Sequence, residues 1–277
     1  MSVTLVVITH NRLVYTRRTI HRLLTDPSDY NLCIWDNNSQ DGTRSYLESL
    51  SDPRIQEIVF RADNLGQTVA MNHFWLKSKD EFVAKLDNDC LITPGWLEII
   101  CQAHRDIERL GAVACWHYRI EDFDYDLAAW KIQRFGAHRI MRHPWVCGSG
   151  FVMKRSVFQE MGPWPEGSRS IGTTSYFLKV AKAGYINGWY YPLVLQEHQD
   201  DPLSPYCISN DDISLRELAD LTYSVRENKI QSVQQRMKRR EVVVRQLLTG
   251  SWNPNDYVGW RARFSRLVGR LTAKSEA

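Results

Sequence analysis

The sequence holds no CxxC pair among its six cysteines, Cys33, Cys90, Cys101, Cys115, Cys147 and Cys207. Most sit among apolar neighbours, as reduced core cysteines do, so a reducing compartment is expected. No stretch approaches the roughly 20 apolar residues that cross a bilayer. The chain opens directly on a strand-like run without a signal-peptide pattern. The expectation is a cytoplasmic protein, or one peripheral on the inner membrane face. Low-complexity tracts and internal repeats are lacking too. The formal net charge is only +3, too small for the whole chain to read as a nucleic-acid binder. The loop after the first strand, THNRLVYTRR, contains no glycine. That argues against a nucleotidylyltransferase, whose corresponding loop is rich in glycine.

What is present reads as globular: 277 residues, 43% hydrophobic and 24% charged. That length suits one large α/β domain, or a domain plus an extension. Charge is uneven. From Arg226 onward, 12 Lys/Arg stand against 4 Asp/Glu, which makes the C-terminal stretch strongly basic. Residues 3–8 form a β-branched run typical of a strand buried on both faces. NLCIWD, IQEIVF and EFVAKLDND read as further strands. Helical patterns fill residues 15–24 and 44–50 and the stretch from the ADNLGQ loop to Trp75. TPGWLEIICQAHRDIERL starts with Thr93 as a cap and Pro94 at the first helical position. This alternation predicts a mostly parallel sheet with helices on both faces. Ligands in such sheets collect at the carboxyl ends of the strands. Here those ends are residues 9–12, 36–39, 61–66 and 87–89.

The second half differs. Residues 113–118 are strand-like, and RFGAHRI and WVCGSGFVMKR read as strands with glycine interruptions, antiparallel in character. A helix is expected over residues 175–183, and GWYYPLVLQEH is a late strand ending at His198. From Ile213 the pattern is helical and charged. A boundary near Asn210 divides a domain, residues 1–210, from a basic helical extension, residues 211–277.

KLDNDCLITPGW places Asp87, Asn88 and Asp89 at the end of an apolar strand. Two bare carboxylates one residue apart repel. A divalent cation resolves that repulsion, since hard cations take oxygen ligands. Mg²⁺ or Mn²⁺ there would bridge a diphosphate and neutralise charge on a leaving group. Taken alone, the triplet is equally an Asx-type turn with solvated carboxylates. Its place after a buried strand, in the fourth unit of an α/β sheet, favours the functional reading.

Several segments, in order, carry a resemblance: VTLVVITHNR, IWDNNSQDGT, NLGQTVAMN, LDNDCLITPGWL, WVCGSGFVMKRSVFQEMGPW and AKAGY. The chain resembles a family-2-type glycosyltransferase of the GT-A (Rossmann-like) fold over roughly residues 1–200. The resemblance implies transfer of a sugar from a nucleotide-diphosphate donor, UDP-linked by default, with Mn²⁺ or Mg²⁺ on the diphosphate. It implies that Thr9, His10, Asn11, Arg12 and Asp36 cradle base and ribose. A carboxylate suits that task as an acceptor of base N–H or ribose hydroxyl hydrogen bonds; Asp36 is otherwise a cap for the NNSQDG turn. Asn64 and Gly66 open a helix whose N-terminus suits anionic groups. Asp87, with Asn88, implies a ribose contact and Asp89 a metal ligand. His198 implies a second metal ligand, for which Mn²⁺ tolerates nitrogen better than Mg²⁺; a lone histidine is also often structural.

The pattern breaks at the general base. Inverting members carry an acid at the start of the helix that ends in AKAGY, to take the acceptor hydroxyl's proton. No Asp or Glu lies between Glu166 and Glu197. Thr173 and Thr174 stand there instead, and a threonine hydroxyl is no base without help. Glu166 from an earlier position is the candidate. Asp200, Asp201 or a distant acid, or no base at all, are the alternatives. Trp130, Trp145, Trp164 and Trp189 are stacking platforms for an acceptor or ordinary core, with Trp164 matching the family's site-edge aromatic.

In the tail, Tyr257, Trp260, Phe264 and Leu271 recur at helical spacing among Arg261, Arg263, Arg266, Arg270 and Lys274. Such a basic amphipathic helix either lies on an anionic membrane surface or packs on the domain or a partner. The acceptor expected is a saccharide or a lipid-linked one, in polysaccharide biosynthesis, with no nucleic-acid partner. A non-catalytic nucleotide-sugar or glycan-binding module of the same fold is the alternative.

Overall fold

A computed structural model describes residues 2–166, 173–201, 203–207 and 233–258. β1 (Val3–Thr9) is buried at every position. Successive strand side chains point to opposite faces. Val3, Leu5 and Val7 accordingly enter one apolar cluster, and Val6 and Ile8 enter the other. Each such side chain contributes about 1.5–3 kcal/mol when fully buried, so a strand apolar on both faces is most stable between two layers of helix.

Around β1 the alternation predicted from the sequence is present. α1 (Leu13–Thr25) leads to β2 (Asn31–Asp36), and α2 (Thr43–Glu48) to β3 (Ile55–Phe60). α3 (Gln67–Lys77) leads to β4 (Phe82–Asp87). β2 and β4 flank β1 in parallel and β3 extends the same parallel side. A short β5 (Cys90–Ile92) precedes α4 (Trp96–Asp106) and β6 (Leu110–Ala114). Then come α5 (Tyr125–Ala128), β7 (Ile132–Phe135), β8 (His138–Arg142), β9 (Phe151–Lys154) and α6 (Arg155–Met161). α7 (Thr173–Lys182), β10 (Ile186–Tyr191), β11 (Gln196–His198) and α8 (Val233–Thr249) follow.

Nine strands form one sheet in the order β3-β2-β1-β4-β9-β6-β10-β8-β7. The sheet is mixed. β9 runs antiparallel to both β4 and β6, and the β7–β8 hairpin adds antiparallel to β10. The antiparallel character expected of the second half lies in these strands. α1, α2 and α4 send Ile20, Leu23, Leu47, Trp96 and Ile100 to one face. α3, α6, α7 and α8 send Phe74, Trp75, Phe158, Phe177 and Leu247 to the other.

Two local expectations are corrected. Thr93 does not cap α4. Its hydroxyl donates to the Leu195 carbonyl at 3.0 Å, and Gly95 holds the cap position at φ 75°. Asp26 accepts from the Gly95 amide at 2.8 Å, so a distant carboxylate does the capping. The late strand is also two strands, β10 and β11, and the second leaves the main sheet to pair with β5. No helix among the described residues is long and apolar enough to cross a membrane. The boundary near Asn210 and most of the amphipathic tail, residues 259–274, lie outside the described residues.

Candidate active site at the strand ends

The first loop is shaped by Asp36, which is buried at the end of β2. Its carboxylate accepts from Thr9 Oγ1 at 2.8 Å, Ser39 N at 3.0 Å and Ser39 Oγ at 2.5 Å. Asp36 therefore ties the β1 and β2 ends together. Asn11, Arg12 and Asn38 adopt left-handed backbone angles, φ 56°, 65° and 63°. Such angles cost non-glycine residues about 1–3 kcal/mol each and persist only where surroundings fix them. Here Asn11 N donates to Ser39 Oγ at 2.8 Å, and Asn11 Oδ1 accepts from Gln40 N at 2.8 Å. His10 is exposed beside this loop, its Nδ1 2.8 Å from the Asn37 carbonyl. Asn64 Oδ1 accepts from the Gly66 amide at 3.0 Å, and Gly66, at φ 82°, opens α3.

The acidic turn lies alongside. Lys85, wholly buried in β4, donates to Asp87 Oδ1 and, at 2.6 Å, to the Gly148 carbonyl. Arg12 NH1 lies 2.5 Å from Asp89 Oδ2, and its NH2 is 3.8 Å from Asp200. Burial pushes the Asp89 carboxyl up, but Arg12 and then His198 outweigh it, and the net direction is down. The repulsion inferred from the sequence is thus met by two protein cations, one per carboxylate. Asn88 is an internal fastener: its Nδ2 donates to Thr16 Oγ1 at 2.8 Å, and its carbonyl accepts from Thr19.

Topology delivers the imidazole. β11 pairs antiparallel with β5 so that His198 stands opposite Cys90 and Glu197 opposite Leu91. Residues directly opposite on neighbouring strands share a face. Asp89, Cys90 and His198 each offer a ligand atom, and these atoms lie within 4.8 Å of one another. A carboxylate beside an imidazole suits Mn²⁺, which tolerates a nitrogen ligand, better than Mg²⁺, which prefers oxygen throughout. This donor set, rather than bare repulsion, is what fits an ion here.

Glu166 is exposed and accepts from Asn72 Nδ2 at 3.0 Å. Asn72 also brackets Trp164, donating to its carbonyl and accepting from its amide, both at 2.9 Å. Trp164 and Trp189 are core residues, each 1% exposed. Trp164 stacks on Tyr176 at 3.8 Å, which removes it as an open platform. Trp130 is 48% exposed and lies against Trp252 at 4.8 Å.

Several residues here escaped the sequence reading. Gln196 and Ser149 exchange two hydrogen bonds, 3.1 and 3.0 Å, behind the acidic turn. Gln199 donates to Thr19 Oγ1 at 2.9 Å, and its amide N–H donates to the Asp89 carbonyl at 2.8 Å. His117 sits 6.0 Å from the His198 ring, and burial, with the His198 charge, lowers its pKa to about 3. A polar residue beside a strand end was the only available signal for each.

Glycosyl transferase family 2 matches residues 4–162. The chain belongs to that family. The match spans β1 through α6 and so contains the acidic turn, while the His198 strand lies beyond it. A similar solved structure is the mannosyltransferase PcManGT from Pyrobaculum calidifontis, in complex with GDP-Man and Mn²⁺. It is 18% identical with a TM-score of 0.59, over 98% of this chain and 80% of that one. S. aureus TarS 1-349, in complex with UDP-GlcNAc, is 12% identical with a TM-score of 0.55. That similarity covers 80% of this chain and 64% of the TarS fragment. These likenesses establish the GT-A fold. No curated protein sequence matches the chain. Family membership makes this family-2 chain a transferase of glycosyl groups.

Proposed function

We propose that the chain moves a sugar from a nucleotide-diphosphate donor, UDP-linked by default, to a hydroxyl of a saccharide or lipid-linked acceptor in polysaccharide biosynthesis. The observation that carries this reading is the β5–β11 pairing, which sets His198 beside Asp89 at the carboxyl ends of the parallel strands. Asp89 and His198 would hold Mn²⁺ or Mg²⁺, and the ion would supply positive charge against the departing diphosphate. Thr9, His10, Asn11, Arg12 and Asp36 line the nucleotide side. Asp36 serves there mainly by fixing the loop, since Thr9 and Ser39 already occupy its carboxylate. Asp87, balanced by Lys85, faces the ribose. The amides opened by Asn64 and Gly66 at the start of α3 suit an anionic group.

In the transfer, the acceptor oxygen bonds to the anomeric carbon as the bond from that carbon to the diphosphate oxygen breaks. Glu166, steadied by Asn72, takes the acceptor's proton. Two related solved structures hold nucleotide sugars, GDP-Man and UDP-GlcNAc, which supports this donor class. The reading places the protein in the cytoplasm, where the basic tail either meets the inner membrane face or packs on the domain or a partner.

The test is release of nucleoside diphosphate from a panel of nucleotide sugars with Mn²⁺, Mg²⁺ or EDTA. Metal-dependent release from one donor, lost in Asp89→Ala and reduced in Glu166→Gln, is the expected result. Binding without release, even with a broad acceptor mixture, would instead favour the binding-module alternative.

A further inference from the structure

Cys90 immediately follows the acidic turn and is fully buried. By composition it resembles the other five cysteines, yet its surroundings are different. Its Sγ lies 3.4 Å from Asp89 Oδ1 and 3.5 Å from Ser149 Oγ. It lies 3.6 and 3.7 Å from the two ring nitrogens of His198. Contacts of this length are weak as thiol hydrogen bonds.

They do match another arrangement. In a tetrahedral site, metal–sulfur bonds are about 2.3 Å and metal–nitrogen or metal–oxygen bonds about 2.0–2.2 Å. The sulfur–nitrogen and sulfur–oxygen edges of such a tetrahedron are then about 3.5 Å. The sulfur stands at that spacing from the Asp89 oxygen and from the His198 ring, and the three donor atoms lie within 4.8 Å of one another. The sulfur is nearly equidistant from the two ring nitrogens and so lies over the ring face, and a turn of the His198 side chain brings one nitrogen's lone pair onto the shared ion. The carboxylate is also divided suitably: Arg12 is on Asp89 Oδ2, while Cys90 is on Oδ1. An ion on Oδ1 does not have to displace the guanidinium.

We propose that Cys90 is a third protein ligand, through Sγ, to the ion held by Asp89 and His198, making the site thiophilic. The proposal rests on the reading of Asp89 and His198 as an ion site. The thiol proton passes to solvent as the sulfur–metal bond forms. Sulfur and imidazole together favour Zn²⁺ or Co²⁺ over Mg²⁺. Three protein ligands leave the fourth position open for an outside oxygen, as a diphosphate would supply.

Titration of the full chain with Co²⁺, followed by absorption, tests this directly. The expected spectrum has visible d–d bands together with a sulfur-to-cobalt charge-transfer band in the near ultraviolet. Cys90→Ser and Cys90→Ala, verified as folded by circular dichroism, keep d–d bands but lose the charge-transfer band. Their Co²⁺ affinity falls by about tenfold or more, the scale seen when even a supporting partner of a ligand is removed. Cys147→Ser, whose sulfur contacts the Ser149 carbonyl at 2.9 Å, retains the band. Co²⁺ binding without a charge-transfer band, or a band that survives in both Cys90 variants, overturns the proposal and leaves Asp89 and His198 as ligands. Failure of the unaltered chain to bind either Co²⁺ or Mn²⁺ overturns both.

Discussion

At the turn after β4 each carboxylate has its own cation, Lys85 on Asp87 and Arg12 on Asp89. Asp89 is only 11% exposed in its side chain, so its charge depends on that partner. Removing one member of a buried pair costs more than the pair itself contributes. Arg12→Met is therefore expected to destabilise the metal-free protein by about 2–3 kcal/mol, somewhat below a fully buried break because His198 stays close. Urea unfolding measures the loss. Mn²⁺ should then raise the thermal midpoint of Arg12→Met more than that of the unaltered chain, since an ion replaces the missing charge. At this scale the sequence was informative about acids and less so about their partners. Asp36, Asp87 and Asp89 stand out as polar residues closing apolar strands. Lys85 is visible inside a buried strand, but its partner is not. Cys90 carries no local mark separating it from core cysteines.

Among the elements, β11, only three residues long like its partner β5, is the most consequential for the site. Gln196, its first residue, is held by Ser149 and packs over Gly150. A Cβ at Gly150 would stand 2.2 Å from Gln196 Oε1, and the backbone there has φ 61°. Gly150→Ala thus meets both strain and a clash. The expected cost is about 1–3 kcal/mol in denaturant unfolding, accompanied by weaker Mn²⁺ binding because β11 carries His198. Unchanged Mn²⁺ affinity would show that β11 does not need Gln196 to place the histidine. Most elements of the first half were legible because β-branched runs and helical spacing are local signals. The β5–β11 pairing was not, since two three-residue strands far apart in sequence carry no pattern that names each other. Thr93 failed as a cap for the same reason: the residues that bind it and Gly95 come from Leu195 and Asp26.

Across the whole molecule, α8 is fastened to the body rather than merely attached. Val244, Leu247 and Leu248 enter the core. Arg240 bridges Asp122 at 3.0 Å and Asp201 at 2.6 Å. Lys131, wholly buried, donates to the Leu247 carbonyl. Burial lowers its pKa from 10.5 to about 7. Between those values the unfolded chain binds the proton and the folded one does not. Stability from this group therefore rises with pH, beginning near 7 and levelling off near 10.5. Urea midpoints should climb between about pH 7 and 8 for the unaltered chain, and Lys131→Met should flatten the climb. Above that range the buried thiols of Cys33, Cys101 and Cys147, each pushed up to about 12, turn the trend downward. The uneven charge of the C-terminal quarter was plain in the sequence. Its anchoring was not, because a helix dense in Arg and Lys reads as solvated until the core shows where Val244 and Leu247 go.

The central claim is that Asp89 and His198 hold one ion between them. Mn²⁺ affinity, read by electron paramagnetic resonance, is to be compared for the unaltered chain, Asp89→Asn, His198→Gln and the double variant. Ligands of one ion are strongly coupled, so each single variant should lose most of the affinity and the double little more. Full affinity in either single variant, or losses that simply add, would contradict the shared site.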